Sequence, residues 1–135
     1  MGLFDKIFRG STGSPQGFSG PKEQKTLPWI PLTSVTQLDE IVERSKIKTQ
    51  VIFKHSTTCG ISRMVMRQFV ASYDVDADLD LYYLDLHNYR EVSNEAGYKF
   101  QVIHESPQLL ILKNGAVVKY ANHGDINEVY LETFF

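Results

Sequence analysis

One side chain in this sequence is equipped for nucleophilic chemistry at sulfur, and it stands alone. Cys59 is the single cysteine among 135 residues. One thiol excludes an internal disulfide, a multi-cysteine zinc site and a two-cysteine redox motif. It stands in the stretch Val51-Ile52-Phe53-Lys54-His55-Ser56-Thr57-Thr58-Cys59-Gly60-Ile61-Ser62-Arg63. The apolar run reads as a buried strand ending near His55. Ser56-Thr57-Thr58 reads as a short polar loop, and a helix begins at or just after Cys59. A thiol there faces unsatisfied backbone N–H groups and the positive end of the helix dipole, which both favour the thiolate. The thiolate is the attacking species in thiol–disulfide exchange. The competing reading of a lone cysteine is a small buried hydrophobe. The polar approach and the strand-to-helix junction favour the reactive reading.

Other candidate residues surround this one. Ser62, three positions along the helix, is expected to donate a hydrogen bond toward the Cys59 sulfur, or else is an ordinary first-turn polar residue. His55 and His123 are the histidines best placed to stabilise the thiolate or contact a carboxylate. Lys54 and Arg63 have the same option, against a plain role as solvated surface charge. Asn122-His123-Gly124-Asp125 precedes a predicted last helix. Free N–H groups there offer a carboxylate or phosphate site, the alternative being a cap with Gly124 serving the turn. His55, His87, His104 and His123 fall at strand ends, but no single ion is expected to hold all four. No metal site is expected.

These residues must be positioned by an ordinary globular domain: 42% hydrophobic, 12% aromatic and 22% charged, with a net charge of −2. That balance excludes nucleic-acid binding driven by bulk positive charge. The N-terminus, Met1 to Arg9, carries Leu3, Phe4, Ile7 and Phe8 at helical spacing. It reads as a small membrane- or partner-docking helix, or as a frayed tail. Gly2 fits a myristoylation site but Lys6 does not. The apolar run is too short for a signal peptide, so a cytoplasmic location without stable membrane insertion is expected. Residues 10–28 are rich in Gly, Ser, Pro, Gln and Lys and read as a flexible linker. The division is therefore 1–28 tail and linker, 29–135 folded domain.

Within that domain Trp29-Ile30-Pro31-Leu32 reads as an edge strand. A helix follows, capped by Thr33 or Ser34 and carrying Val35, Leu38, Ile41 and Val42. After the Val51 strand comes a helix from Ile61 to Tyr73, then a strand from Leu79 to Leu86. Asn88 is expected to cap a third helix running to about Phe100. Gln108 to Lys113 and Ala116 to Tyr120 flank Asn114-Gly115, a strong hairpin signal. Asp125 is expected to cap a C-terminal helix carrying Ile126, Val129, Tyr130 and Phe134. The order β-α-β-α-β-α-β-β-α predicts an α/β domain whose early strands are parallel and whose hairpin supplies an antiparallel edge.

From about Trp29 onward the sequence resembles the monothiol bacilliredoxins, also called bacillithiol system redox-active proteins. The resemblance rests on Phe53-Lys54-His55-Ser56, on Thr58-Cys59-Gly60-Ile61-Ser62 and on His104-Glu105-Ser106-Pro107-Gln108. It implies a thioredoxin-like α/β fold, with a central mixed sheet of four to five strands flanked by helices. It implies a monothiol oxidoreductase that removes bacillithiol from S-bacillithiolated client proteins, with bacillithiol as co-substrate and no tightly bound cofactor. A monomer is expected. Cys59 would be catalytic. His55, Thr58, Gly60, Ile61, Ser62, Ser106, Pro107, His123 and Gly124 would stabilise the thiolate or bind substrate. Ser62 takes the place of a resolving cysteine, and the Ser106–Pro107 peptide would be cis. Gly60 stands where the family usually has Pro. Cys59-Gly60-Ile61-Ser62 is thereby also similar to monothiol glutaredoxins, so the alternative function is an iron–sulfur cluster carrier with a bridged cluster. Glu105-Ser106-Pro107 departs from the Thr-Val-Pro of those proteins.

Overall fold

The structure is a computed structural model and describes residues 26–135. The expected docking helix and most of the expected linker lie outside the described residues. The elements are β1 (Trp29–Pro31), α1 (Val35–Arg44), β2 (Thr49–His55), α2 (Gly60–Ser72), β3 (Leu79–Asp85), α3 (Arg90–Phe100), β4 (Gln108–Lys113) and β5 (Ala116–Asn122). They form one five-stranded sheet in the order β1-β3-β2-β4-β5. β1 and β2 run parallel to β3, and β4 and β5 are antiparallel. The expected mixed sheet is present, with β2 at its centre.

Every residue of β2 is buried, so side chains alternate into two separate cores. Val51 and Phe53 pack with Val65 and Phe69 of α2. Ile52 faces the other way, with Leu38 and Ile41 of α1 and Val92 and Ala96 of α3. The N-terminus of α1 is closed by a capping box, in which the Ser34 N–H donates to Gln37 Oε1 at 3.0 Å. Asn114 and Gly115 take left-handed φ values of 54° and 87°, as a tight hairpin turn requires.

Two expected elements differ. Helix α3 begins at Arg90 after an N-cap at Tyr89, rather than being capped by Asn88. The Asp85 carboxylate accepts the N–H groups of His87 and Asn88 and the Asn88 side-chain amide, which commits Asn88 to a turn. The C-terminal helix is replaced by two short 3-10 helices, His123–Glu128 and Leu131–Phe134, separated by extended Val129 and Tyr130. The Asn127 side-chain amide donates to Val65 O at 3.3 Å and Gln68 Oε1 at 3.0 Å. Docking onto α2 takes precedence over a continuous helical register.

Candidate active site

Strand β2 delivers the reactive segment to the C-terminal edge of the parallel strands. The chain turns through Ser56, Thr57 and Thr58, and the Cys59 N–H donates to Ser56 O at 3.3 Å. Cys59 is the N-cap of α2, with extended φ −101° and ψ 124°. Its carbonyl accepts the Arg63 N–H at 3.0 Å, opening the helix. The thiol is free and partly exposed. Gly60 and Ile61, the first two helical residues, are exposed beside it. The thiol therefore sits where first-turn N–H groups and the helix dipole stabilise negative charge.

Ser62 is fully buried and turned toward the sheet. Its Oγ lies 2.8 Å from His55 Nδ1 and accepts the Ser56 N–H at 3.0 Å. The expected donation to the sulfur gives way to this inward bridge between helix and strand. His55 is 6% exposed. Burial pushes its pKa down, the Arg63 charge adds to this and Asp85 opposes it, so the ring is neutral at pH 7.

The register of β2 with β4 pairs Lys54 with Gln108. Continuing it sets Ser106–Pro107 beside His55–Ser56, next to the cysteine loop. The Ser106–Pro107 peptide is cis, as the resemblance implied. His123 follows β5, and its N–H donates to Pro107 O at 2.9 Å. It takes a left-handed φ of 54°, so His123, not Gly124, makes the turn. Its Nε2 lies 3.4 Å from Glu105 Oε1. At the expected anion site the helix is a short 3-10 piece, and the His123 N–H is already donated to Pro107 O. A Cβ at Gly124 would meet open space.

Two placements depart from the sequence reading. Lys54 is not solvated surface charge but fully buried, on the face opposite α2. Its Nζ lies 3.4 Å from Ser93 O and 3.5 Å from His104 Nδ1. Burial lowers its pKa from 10.5 to about 8. His87, read as a strand-end residue, holds the cysteine loop: Nε2 is 2.8 Å from Ser56 Oγ and 3.1 Å from Thr58 Oγ1. Arg63 reaches back to Thr57 O at 3.2 Å. The spacing between His87 and Ser56 carries no periodic signal, so only the pairing of β2 with β3 reveals their contact. Among the described residues, no group of three or more His, Cys, Asp or Glu side chains converges as metal ligands do.

Residues 30–131 match the family model described as Monothiol bacilliredoxin BrxC. The chain belongs to the monothiol bacilliredoxin family. This bacilliredoxin sequence is also 37% identical to a solved structure described as a candidate oxidoreductase with a thioredoxin fold, at a TM-score of 0.65. That match covers 74% of this chain and 87% of the other. Thioredoxin O2 from Arabidopsis thaliana is similar at a TM-score of 0.62 and 17% identity, covering 80% and 95% of the two chains. Schistosoma mansoni thioredoxin is similar at 0.59 and 21%, covering 79% and 95%. The fold is the thioredoxin fold, and the family makes this bacilliredoxin a thiol oxidoreductase. No helix among the described residues is long and apolar enough to cross a membrane.

Proposed function

We propose that the protein is a monothiol oxidoreductase that removes bacillithiol from S-bacillithiolated client proteins. The observation that carries this reading is the placement of the single cysteine, Cys59, as the N-cap of α2, with Ser62 turned away into the core. Every disulfide the chain forms must then be to another molecule.

In the proposed step the Cys59 thiolate attacks the bacillithiol sulfur of a client mixed disulfide. A bond forms between Cys59 Sγ and bacillithiol as the client S–S bond breaks. The client leaves as its thiolate with the electron pair and takes a proton from solvent. A second thiol, free bacillithiol, then attacks the bacillithiol sulfur of the adduct; bacillithiol disulfide forms as the bond to Cys59 breaks, and the Cys59 thiolate leaves with the electron pair. The Ser106 backbone, just before cis Pro107, would offer strand-like pairing to the bound disulfide. The reaction belongs in the cytoplasm, where low-molecular-weight thiols are kept reduced, and needs only a monomer.

Intact mass spectrometry after treatment with oxidised bacillithiol tests this. One adduct per chain, absent in Cys59→Ala, is expected. No adduct, or equal labelling by oxidised glutathione, contradicts the assignment to bacillithiol. A stable iron–sulfur absorbance after anaerobic reconstitution, lost in Cys59→Ala, would instead favour cluster carriage.

A further inference from the structure

On the α3 side of the cysteine loop, basic side chains gather. His87 Nδ1 lies 3.5 Å from Arg90 Nη2. A guanidinium has no acceptor atom, so Nδ1 accepts and the proton sits on Nε2, donated toward Ser56 and Thr58. One imidazole ring thus links Arg90 to Thr58, the neighbour of Cys59. From the β4 side, His104 lies over buried Lys54; burial lowers its pKa, the charges of Lys54 and Arg90 add to this, and Glu105 opposes it.

The nearby acids are committed elsewhere. The Asp85 carboxylate accepts donors of its own turn. Glu105 lies against His123. Arg90 is exposed, and its one polar partner among the described residues is His87, through a single N–H at the limit of hydrogen-bond distance. The remaining guanidinium donors are unspent. The fork of N–H groups left open matches a carboxylate in geometry and charge.

We propose that Arg90, held beside the cysteine loop by His87, binds a carboxylate of the small anionic disulfide that exchanges with Cys59. The inference rests on the exchange reading above and names the part of the substrate recognised. Attack by Cys59 Sγ forms one S–S bond and breaks another, and the leaving small thiolate carries away the electron pair. A carboxylate anchored at Arg90 would hold that molecule over the sulfur, while Lys54 raises the local positive potential.

The test compares two disulfides on the full chain. Rates of Cys59 adduct formation are measured by intact mass for oxidised bacillithiol, which carries carboxylates, and for uncharged 2-hydroxyethyl disulfide. In Arg90→Gln the preference for the anionic disulfide is expected to fall roughly tenfold, as for loss of one charge-assisted pair. Arg90→Lys should recover part of it, and raising salt from about 50 to about 500 mM should erode it in the unmodified protein. An unchanged preference in Arg90→Gln overturns the inference while leaving exchange intact. Failure of the unmodified protein to react with either disulfide overturns the exchange reading itself.

Discussion

Ser62 Oγ and His55 Nδ1 lie 2.8 Å apart, both residues buried, so the position where a dithiol protein keeps a second sulfur is bonded to the sheet instead. The same hydroxyl satisfies the Ser56 N–H. Ser62→Ala therefore leaves two buried polar groups without this partner and should cost about 1–3 kcal/mol, read from the urea midpoint. A cost below about 0.5 kcal/mol, the usual range of surface substitutions, would mean the bridge does not hold the helix to the sheet.

Lys54 gives the protein an unusual alkaline dependence. Its folded-state pKa of about 8 lies below the ordinary 10.5, so the unfolded chain binds more protons between those values. Stability should rise as pH increases from about 8 toward 10. Above pH 10 burial of Tyr73, whose pKa is pushed up to about 12, reverses the trend, because the unfolded phenol ionises first. Lys54→Met should flatten the rise and stabilise the protein at pH 7 by on the order of 3 kcal/mol. Denaturation midpoints from pH 7 to 11 check both.

At acid pH the imidazoles act with the same sign as Lys54, in a lower pH window. His55 and His104 have lowered pKa values, chiefly through burial. The native state resists their protonation, so stability is lost as pH falls below about 6.5 and through the folded values. His55→Gln should shrink the loss between pH 7 and 5, and an unchanged slope would remove His55 as its source.

Gly60 is the first residue of α2, and a Cβ there would meet only the end of the Arg63 side chain at 4.0 Å. Cys59 already has the extended backbone that a following proline demands. Gly60→Pro should therefore stabilise the protein by about 0.4–1 kcal/mol. A lower thermal midpoint would show that the Gly60 backbone is needed as it stands.

His87 holds Ser56 and Thr58, so its loss should loosen the loop for every substrate. In His87→Ala, adduct formation should slow roughly 3- to 10-fold with 2-hydroxyethyl disulfide as well as with oxidised bacillithiol. That pattern separates it from Arg90, whose loss acts on the preference between the two. Selective slowing of the anionic disulfide alone would mean that His87 acts only through Arg90.

The sequence by itself determined the local elements and the reactive position. Apolar Val51-Ile52-Phe53 specified a central strand, Asn114-Gly115 a hairpin, and the Ser-Thr-Thr-Cys junction a cysteine at a helix start. These follow from periodicity and backbone preference over a few residues. The C-terminal segment was misread because its helical spacing is overridden by docking on α2 through Asn127. The partners of the site were legible only in the tertiary structure. Strand alternation placed Lys54 on the face away from α2, within the core, although a lysine in isolation reads as surface. Pairing of β2 with β3 brought His87 to Ser56, 31 positions apart. Register between β2 and β4 set Ser106–Pro107 beside the cysteine loop. Such contacts depend on which strands neighbour one another and in what register, which no single segment encodes.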